Sequence, residues 1–354
     1  MGSIDTPRNY HKEPLKLSGV LSQFEQFDPT PVIGTEFPTA KLVEWMRAPN
    51  ADELIRDLAI TVSRRGVVFF RAQDDLTPEL QKELAHKMGV LSGKPATSYL
   101  HIHPINNSRR GTQSDDYITV IGDNQTKAYG GKGGFFLDNN AGKLQSGRLE
   151  WHSDITFEQV PCDYAVLRME KFPSTGGDTM WASGYELYDR ISEPYRRFLE
   201  SLTATCSQNH FHEVARREGL ELFDGPRGAP ENVGTGLTSV HPVVRTNPVT
   251  GWKNIFPVGV HVERINGLSD MESSHLKNWF LQMIMENHDM QVRYRWTNPN
   301  DVAIWDNRCV FHAATRDHEG GRLGYRATGL GERPYFDPES LSRREAFALT
   351  GERR

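Results

Sequence analysis

Two hydrophobic patterns run along this chain, a helical repeat and short unbroken apolar runs. From Asp52 to Arg64 the apolar residues Ile55, Leu58, Ala59 and Val62 recur at intervals of three and four, the signature of a helix with one buried face. Thr39 to Arg47 predicts a shorter helix before it. Thr77-Pro78-Glu79 supplies an N-cap with Pro at the first helical position and opens a helix through Lys87. Gly66-Val67-Val68-Phe69-Phe70 is instead an unbroken apolar run after a glycine turn, which predicts a buried strand.

Beyond Asp154 the pattern shortens. Apolar runs at Tyr164–Met169, Thr179–Ala182, Leu202–Cys206, Thr238–Arg245, Asn254–Val258, Gln291–Trp296, Val302–Trp305, Cys309–His312 and Tyr325–Leu330 are separated by Gly, Pro and Asn. Many short strands with such punctuation predict a mostly β chain with flanking helices, built as an antiparallel jelly-roll or barrel. The helices fall at Ser183 onward, Pro194–Glu200, His210–Arg217 and Ser269–Asn287. The last has a capping box, Ser269 with Glu272, and one apolar stripe of Leu276, Trp279, Phe280, Met283 and Ile284 that reads as core packing.

Two stretches lack periodicity. Residues 1–38 are polar and rich in Pro, Lys and Gln, and read as an N-terminal arm, partly disordered. Residues 105–148 carry loop compositions, including Gly130–Gly134, which lacks phosphate-loop spacing and reads as a mobile loop or lid. With no composition break elsewhere, residues 39–354 are expected to form a single domain.

At 354 residues, with 37% hydrophobic and 25% charged residues, the chain has the apolar material for a sizeable core. Its net charge of -5 argues against non-specific nucleic-acid binding. No run reaches the length of a membrane span, no signal-peptide pattern opens the chain, and Cys162, Cys206 and Cys309 form no disulfide framework. A cytoplasmic protein is expected, able to form homo-oligomers. Met1-Gly2-Ser3-Ile4-Asp5-Thr6 fits the short myristoylation pattern, which a chance match also satisfies.

The candidate chemistry centres on Trp151-His152-Ser153-Asp154 and the distant His312. On a strand, His152 and Asp154 project from one face. One carboxylate and two imidazoles make the facial triad that holds Fe(II) and leaves three positions open, although the bare spacing is more often a surface hydrogen-bond pair. Arg322 and Arg326 also share a strand face around the apolar Leu323-Gly324-Tyr325. Two inward arginines need anions: either a bound carboxylate or sulfonate, or acidic side chains of the chain itself.

The chain resembles the taurine dioxygenase family of Fe(II)- and 2-oxoglutarate-dependent dioxygenases from about Thr39 to Arg333. The resemblance rests on Leu100-His101-Ile102-His103-Pro104, Trp151 to Phe157, Pro173 to Gly184, His241 to Thr246, Asp301 to Asn307, and Arg322 with Arg326-Ala327-Thr328. It implies a double-stranded β-helix (jelly-roll, cupin-like) core. It further implies iron at His152, Asp154 and His312, 2-oxoglutarate at Thr179 and Arg322, and O₂ as second co-substrate. The products would be succinate, CO₂ and an oxidised substrate, with desaturation or ring closure as variants of hydroxylation. His103 and Arg326 match positions that grip a substrate sulfonate, while His103 also reads as a packed strand-end histidine. Where the taurine enzyme has tyrosine and asparagine on the substrate side, this chain has Asn106 and Arg148. A small anionic substrate is therefore expected, a sulfonate or a carboxylate such as an amino acid. Two rivals remain at this stage: a zinc-dependent hydrolase and a non-catalytic jelly-roll binding module.

Overall fold

A computed structural model describes residues 13–105, 115–122, 147–315, 317–318 and 321–351. Its largest sheet has six strands in the order Thr35–Phe37, Val67–Phe70, Asp301–Asp306, Cys162–Lys171, Leu323–Leu330 and Ile118–Gly122. Only the first pair is parallel. A three-stranded antiparallel sheet of Gln291–Tyr294, Thr179–Ser183 and Val310–Ala314 faces it. Val67, Phe69, Leu167, Ala303 and Trp305 from the large sheet pack with Trp181, Val292, Tyr294 and Val310 from the small one.

The other face of the large sheet explains the unbroken Val-Val-Phe-Phe run. Val68, Phe70, Val166 and Ile304 alternate outward from the inter-sheet core and meet the helices Leu42–Arg47, Ala51–Arg65 and Pro78–Leu91. A strand covered on both faces has no polar side to alternate with. The helix Pro78–Leu91 starts where the sequence places it, with Thr77 Oγ1 accepting from the Leu80 amide.

A third apolar cluster lies under the helix Asp270–Glu286, whose Leu276, Phe280 and Ile284 are buried, with Trp279 and Met283 at its margin. Ser269 and Glu272 form the expected capping box. The three cysteines are buried and free, as small core residues. No helix among the described residues is long and apolar enough to cross a membrane.

The structure departs from the sequence reading in several places. Thr35–Phe37, inside the presumed arm, is a buried strand beside Val67–Phe70. Ile118–Gly122, inside the presumed loop, pairs with Leu323–Leu330. Thr238–Arg245 breaks at Val243 into Thr238–Pro242 and Val244–Thr246. Val262–Ile265 and the helix Arg343–Thr350 were not predicted. The myristoylation motif and the Gly130–Gly134 lid lie outside the described residues.

The feature that builds the site is a small one. His152 forms an isolated bridge to His312, so residues 151–153 add to the edge of the three-stranded sheet, and His152 bridges Gly259 as well. Gly259 has φ +99°, and a Cβ there would fall 2.1 Å from the Trp151 carbonyl oxygen. Gly259→Ala should therefore destabilise the fold by about 2 kcal/mol or more. Thermal denaturation measures this; an unchanged Tm would show that the backbone yields there at little cost.

Candidate active site

His152 and His312 exchange backbone hydrogen bonds, His152 N to His312 O at 3.0 Å and His312 N to His152 O at 2.8 Å. Residues opposed in that way project their side chains to the same face, and the two imidazole centroids lie 4.3 Å apart. Asp154 reaches them by a different route from the one expected. The chain leaves the bridge at once and turns, with Ile155 at φ +47°, so His152 and Asp154 do not share a strand. Ser153 Oγ donates to the Val310 carbonyl at 2.8 Å, and Asn307 Oδ1 accepts from the Asp154 amide at 3.1 Å. Asp154 Oδ1 then lies 3.8 Å from Nε2 of each histidine.

These three side chains could hold a metal ion, their ligand atoms lying within 4.8 Å of one another. His152 Nδ1 pairs with the Glu150 carbonyl at 2.7 Å, which makes Nδ1 the protonated nitrogen and leaves the Nε2 lone pair toward the cluster. Asp154 Oδ2 is buried with no hydrogen-bond partner among the described residues. A buried carboxylate oxygen in that condition is costly unless a cation satisfies it, so the donor set fits a divalent ion.

The electrostatics favour the ligand forms of Asp154 and His312. Burial by itself would raise Asp154, but Arg326, then His312 and His152, outweigh it and hold the carboxyl well below the usual range. Burial, with His152 nearby, pushes His312 down to about 3, so its imidazole is neutral near pH 7. Arg326 Nη1 donates to Asp154 Oδ1 at 2.7 Å.

The cluster opens onto a cavity of ≈ 250 Å³ lined by residues that include Thr179, Arg322, Arg326 and His103. Arg326 shares its sheet face with Thr119 and Leu167, the residues opposite it on the two neighbouring strands. Arg322, just ahead of that strand, is largely buried and donates from Nη2 to Thr179 Oγ1 at 2.9 Å. Trp296 Nε1 donates to the same oxygen at 3.2 Å. With two donors on its lone pairs, the Thr179 hydroxyl keeps its own proton to give to an acceptor.

His103 lines the cavity with Nδ1 turned to the Ile105 backbone, and burial, with His101 and Arg326 nearby, pushes it down to about 3. Asn106 lies outside the described residues. Arg148, in the short turn Arg148–Glu150, hydrogen-bonds Asn278 on the Asp270–Glu286 helix and is not among the cavity-lining residues, because that turn aims Glu150 inward instead. Sequence reasoning missed Phe157, Phe211, His261 and Gln208 on the cavity wall. It also missed the positioning role of Asn307, although that residue lies in a quoted motif.

The fold is shared with solved dioxygenases, and the chain belongs to a dioxygenase family: residues 23–328 match the Taurine catabolism dioxygenase TauD, TfdA family. The alpha-ketoglutarate-dependent dioxygenase btcD of Neocamarosporium betae is 54% identical over 344 residues, 95% of this chain and 98% of that protein. Its counterpart oryG of Aspergillus oryzae is 52% identical over 96% of this chain and 97% of its own. An alpha-ketoglutarate-dependent sulfate ester dioxygenase of Pseudomonas putida is 30% identical, covering 88% of this chain and 91% of that protein. A putative alpha-ketoglutarate-dependent taurine dioxygenase from Burkholderia xenovorans shares the fold with a TM-score of 0.63 at 24% identity, over 89% and 92% of the two chains. AAD-2, solved with Mn(II) and N-oxalylglycine, gives a TM-score of 0.64 at 19% identity, over 88% and 99%. The protein is thus a 2-oxoglutarate-dependent non-haem iron dioxygenase that uses Fe(II), 2-oxoglutarate and O₂. Neither the hydrolase nor the binding-module alternative is favoured.

Two more histidines are buried, His261 on the cavity wall and His241 against the Thr156 carbonyl, each pushed down to about 3 chiefly by burial. An unfolded histidine titrates near 6.5, so between about pH 6.5 and 3 the unfolded chain binds more protons and stability falls as pH falls. Each such histidine contributes a slope of about 1.4 kcal/mol per pH unit in that window. In urea unfolding of the metal-free protein at pH 6 and 5, His241→Asn should remove about that slope; an unchanged slope would mean that His241 titrates normally when folded.

Proposed function

We propose that this enzyme oxidises a C–H bond of a small anionic substrate, consuming 2-oxoglutarate and O₂ and releasing succinate, CO₂ and hydroxylated product. The observation that carries the reading is the convergence on one cavity of the His152–Asp154–His312 cluster and the Arg322–Thr179 pair. In this reading those three residues are the iron ligands, on a double-stranded β-helix core to which the two facing sheets lend support. Bound Fe(II) supplies the oxidising power, drawn from O₂ and the decarboxylation of 2-oxoglutarate.

The chain's own residues do the positioning. Glu150 fixes the tautomer of His152 through its carbonyl. Trp305 packs 5.0 Å from the His312 ring and keeps that side of the ligand dry. Arg322 and the Thr179 hydroxyl seat the distal carboxylate of 2-oxoglutarate, a charge-assisted pair inside a largely buried pocket.

Arg326 orients Asp154 and offers the substrate its charge. Its Nε is buried with no hydrogen-bond partner among the described residues, which leaves a donor for a sulfonate or carboxylate. His103, neutral and half-buried, adds a hydrogen-bonding edge on the same side, and Asn106 is assigned to the substrate side by its motif position alone. An alpha-ketoglutarate-dependent sulfonate dioxygenase of Saccharomyces cerevisiae, 30% identical over 88% of this chain and 68% of that protein, is in keeping with an anionic substrate.

Succinate formation, screened with small sulfonates, amino acids and aryloxy acids, tests the reaction and finds the substrate class. Arg322→Ala should weaken 2-oxoglutarate binding by about 2–4 kcal/mol, the cost of stranding a charged hydrogen-bond partner. An unaltered dependence on 2-oxoglutarate concentration would remove Arg322 from that role.

A further inference from the structure

We infer that Glu158, with Arg227 and His101, positions the aromatic wall of the cavity; this rests on the reading of that cavity as the place of substrate oxidation. The three side chains come from distant segments and are each less than 5% exposed, at 2%, 1% and 4%. Arg227 grips Glu158 with both tines of its fork, Nε to Oε1 at 2.5 Å and Nη2 to Oε2 at 2.8 Å. His101 Nε2 lies 3.1 Å from Oε1. Arg227 Nη1 donates to the carbonyls of Phe223 and Gly234, tying down the loop that follows the helix His210–Glu218.

None of the three lines the cavity, yet each sits beside residues that do. Glu158 follows Phe157, His101 precedes His103 by two, and the Arg227 loop trails the helix that carries Phe211. That loop is also strapped to the His103 segment. Tyr99 N donates to Gly228 O at 2.7 Å and Phe223 N to Pro104 O at 2.9 Å. Gly228 has φ +90°, and a Cβ there would sit 2.2 Å from the Leu100 carbonyl oxygen, so the two backbones touch. His101 N in turn donates to Thr328 O at 2.8 Å, two residues beyond Arg326.

The rings held this way form a continuous arc. His103 stands 5.0 Å from Phe211, Phe211 5.7 Å from Phe157, and Phe157 5.3 Å from His261, which is 6.1 Å from His152. The arc runs from the substrate side to a residue of the His–Asp–His cluster.

Stability is a weak reason for the triad. Removing these charges from water costs several kcal/mol per ion, and apolar residues of matching shape commonly serve as well or better. What a bidentate guanidinium–carboxylate pair adds is direction: it fixes two segments in one plane. Glu158, Arg227 and His101 are thus positioning residues, acting through His103, Phe157 and Phe211.

Co(II)-loaded protein tests this without a substrate, because pseudocontact shifts report where each ring stands relative to the metal. In Glu158→Gln/Arg227→Met both charges go together, so the fold should survive with Tm within a few degrees. The shifts of His152 and His312 should hold while those of His103 and Phe211 move. His101→Leu leaves the Glu158–Arg227 pair intact and should displace His103 more than Phe211, which gives an independent reading should the double variant not fold. Ring shifts unmoved in His101→Leu, or unmoved in a folded double variant, would overturn the inference and leave the triad a purely structural element. Absence of hyperfine-shifted histidine signals in the parent protein would instead sink the metal reading on which it rests.

Discussion

The reciprocal pair of backbone hydrogen bonds between His152 and His312 is the constraint on which the site depends. It joins segments 160 residues apart in register, and the register dictates that both imidazoles face the same way. Side-chain chemistry then follows from main-chain geometry. Asp154 needs only a turn, held by Asn307 and Ser153, to bring its carboxylate opposite the two rings. Gly259 supplies the space in which the bridge lies against its other neighbour.

Charge is distributed with the same economy. His103, His261 and His312 are held neutral near pH 7 chiefly by burial, which suits a ligand or a hydrogen-bonding edge. Two guanidinium groups on the cavity wall carry the positive charge, one against the Thr179 hydroxyl and one against Asp154. An anionic co-substrate has a ready partner at the first. At the second, one arginine both steadies a cluster carboxylate and lines the cavity beside it.

Much of this was legible in the sequence where the physics is local. Helical periodicity placed the helix over Asp52–Arg64, Thr77 with Pro78 placed the start of the next, and Ser269 with Glu272 placed a cap that the structure contains. The Val-Val-Phe-Phe run announced a buried strand, and the structure covers it on both faces. The resemblance named the residues that converge, but not how: a strand was expected at His152–Asp154, and the structure has a bridge and a turn. Thr35–Phe37 was hidden because a three-residue edge strand is too short to show a periodicity. Ser342 and Glu345, by contrast, form a capping box visible in the sequence, and the helix Arg343–Thr350 that follows was simply passed over. His261 and Phe211 reach the cavity through loops and helix packing that no local pattern encodes.

The most direct test of the whole account is a crystal of the protein loaded anaerobically with Fe(II) and 2-oxoglutarate, with diffraction recorded on both sides of the iron edge. The account predicts one iron peak per chain, bonded to His152 Nε2, Asp154 and His312 Nε2, with the distal carboxylate of 2-oxoglutarate against Arg322 and Thr179. An iron peak elsewhere, or a keto acid bound away from Arg322, would contradict it.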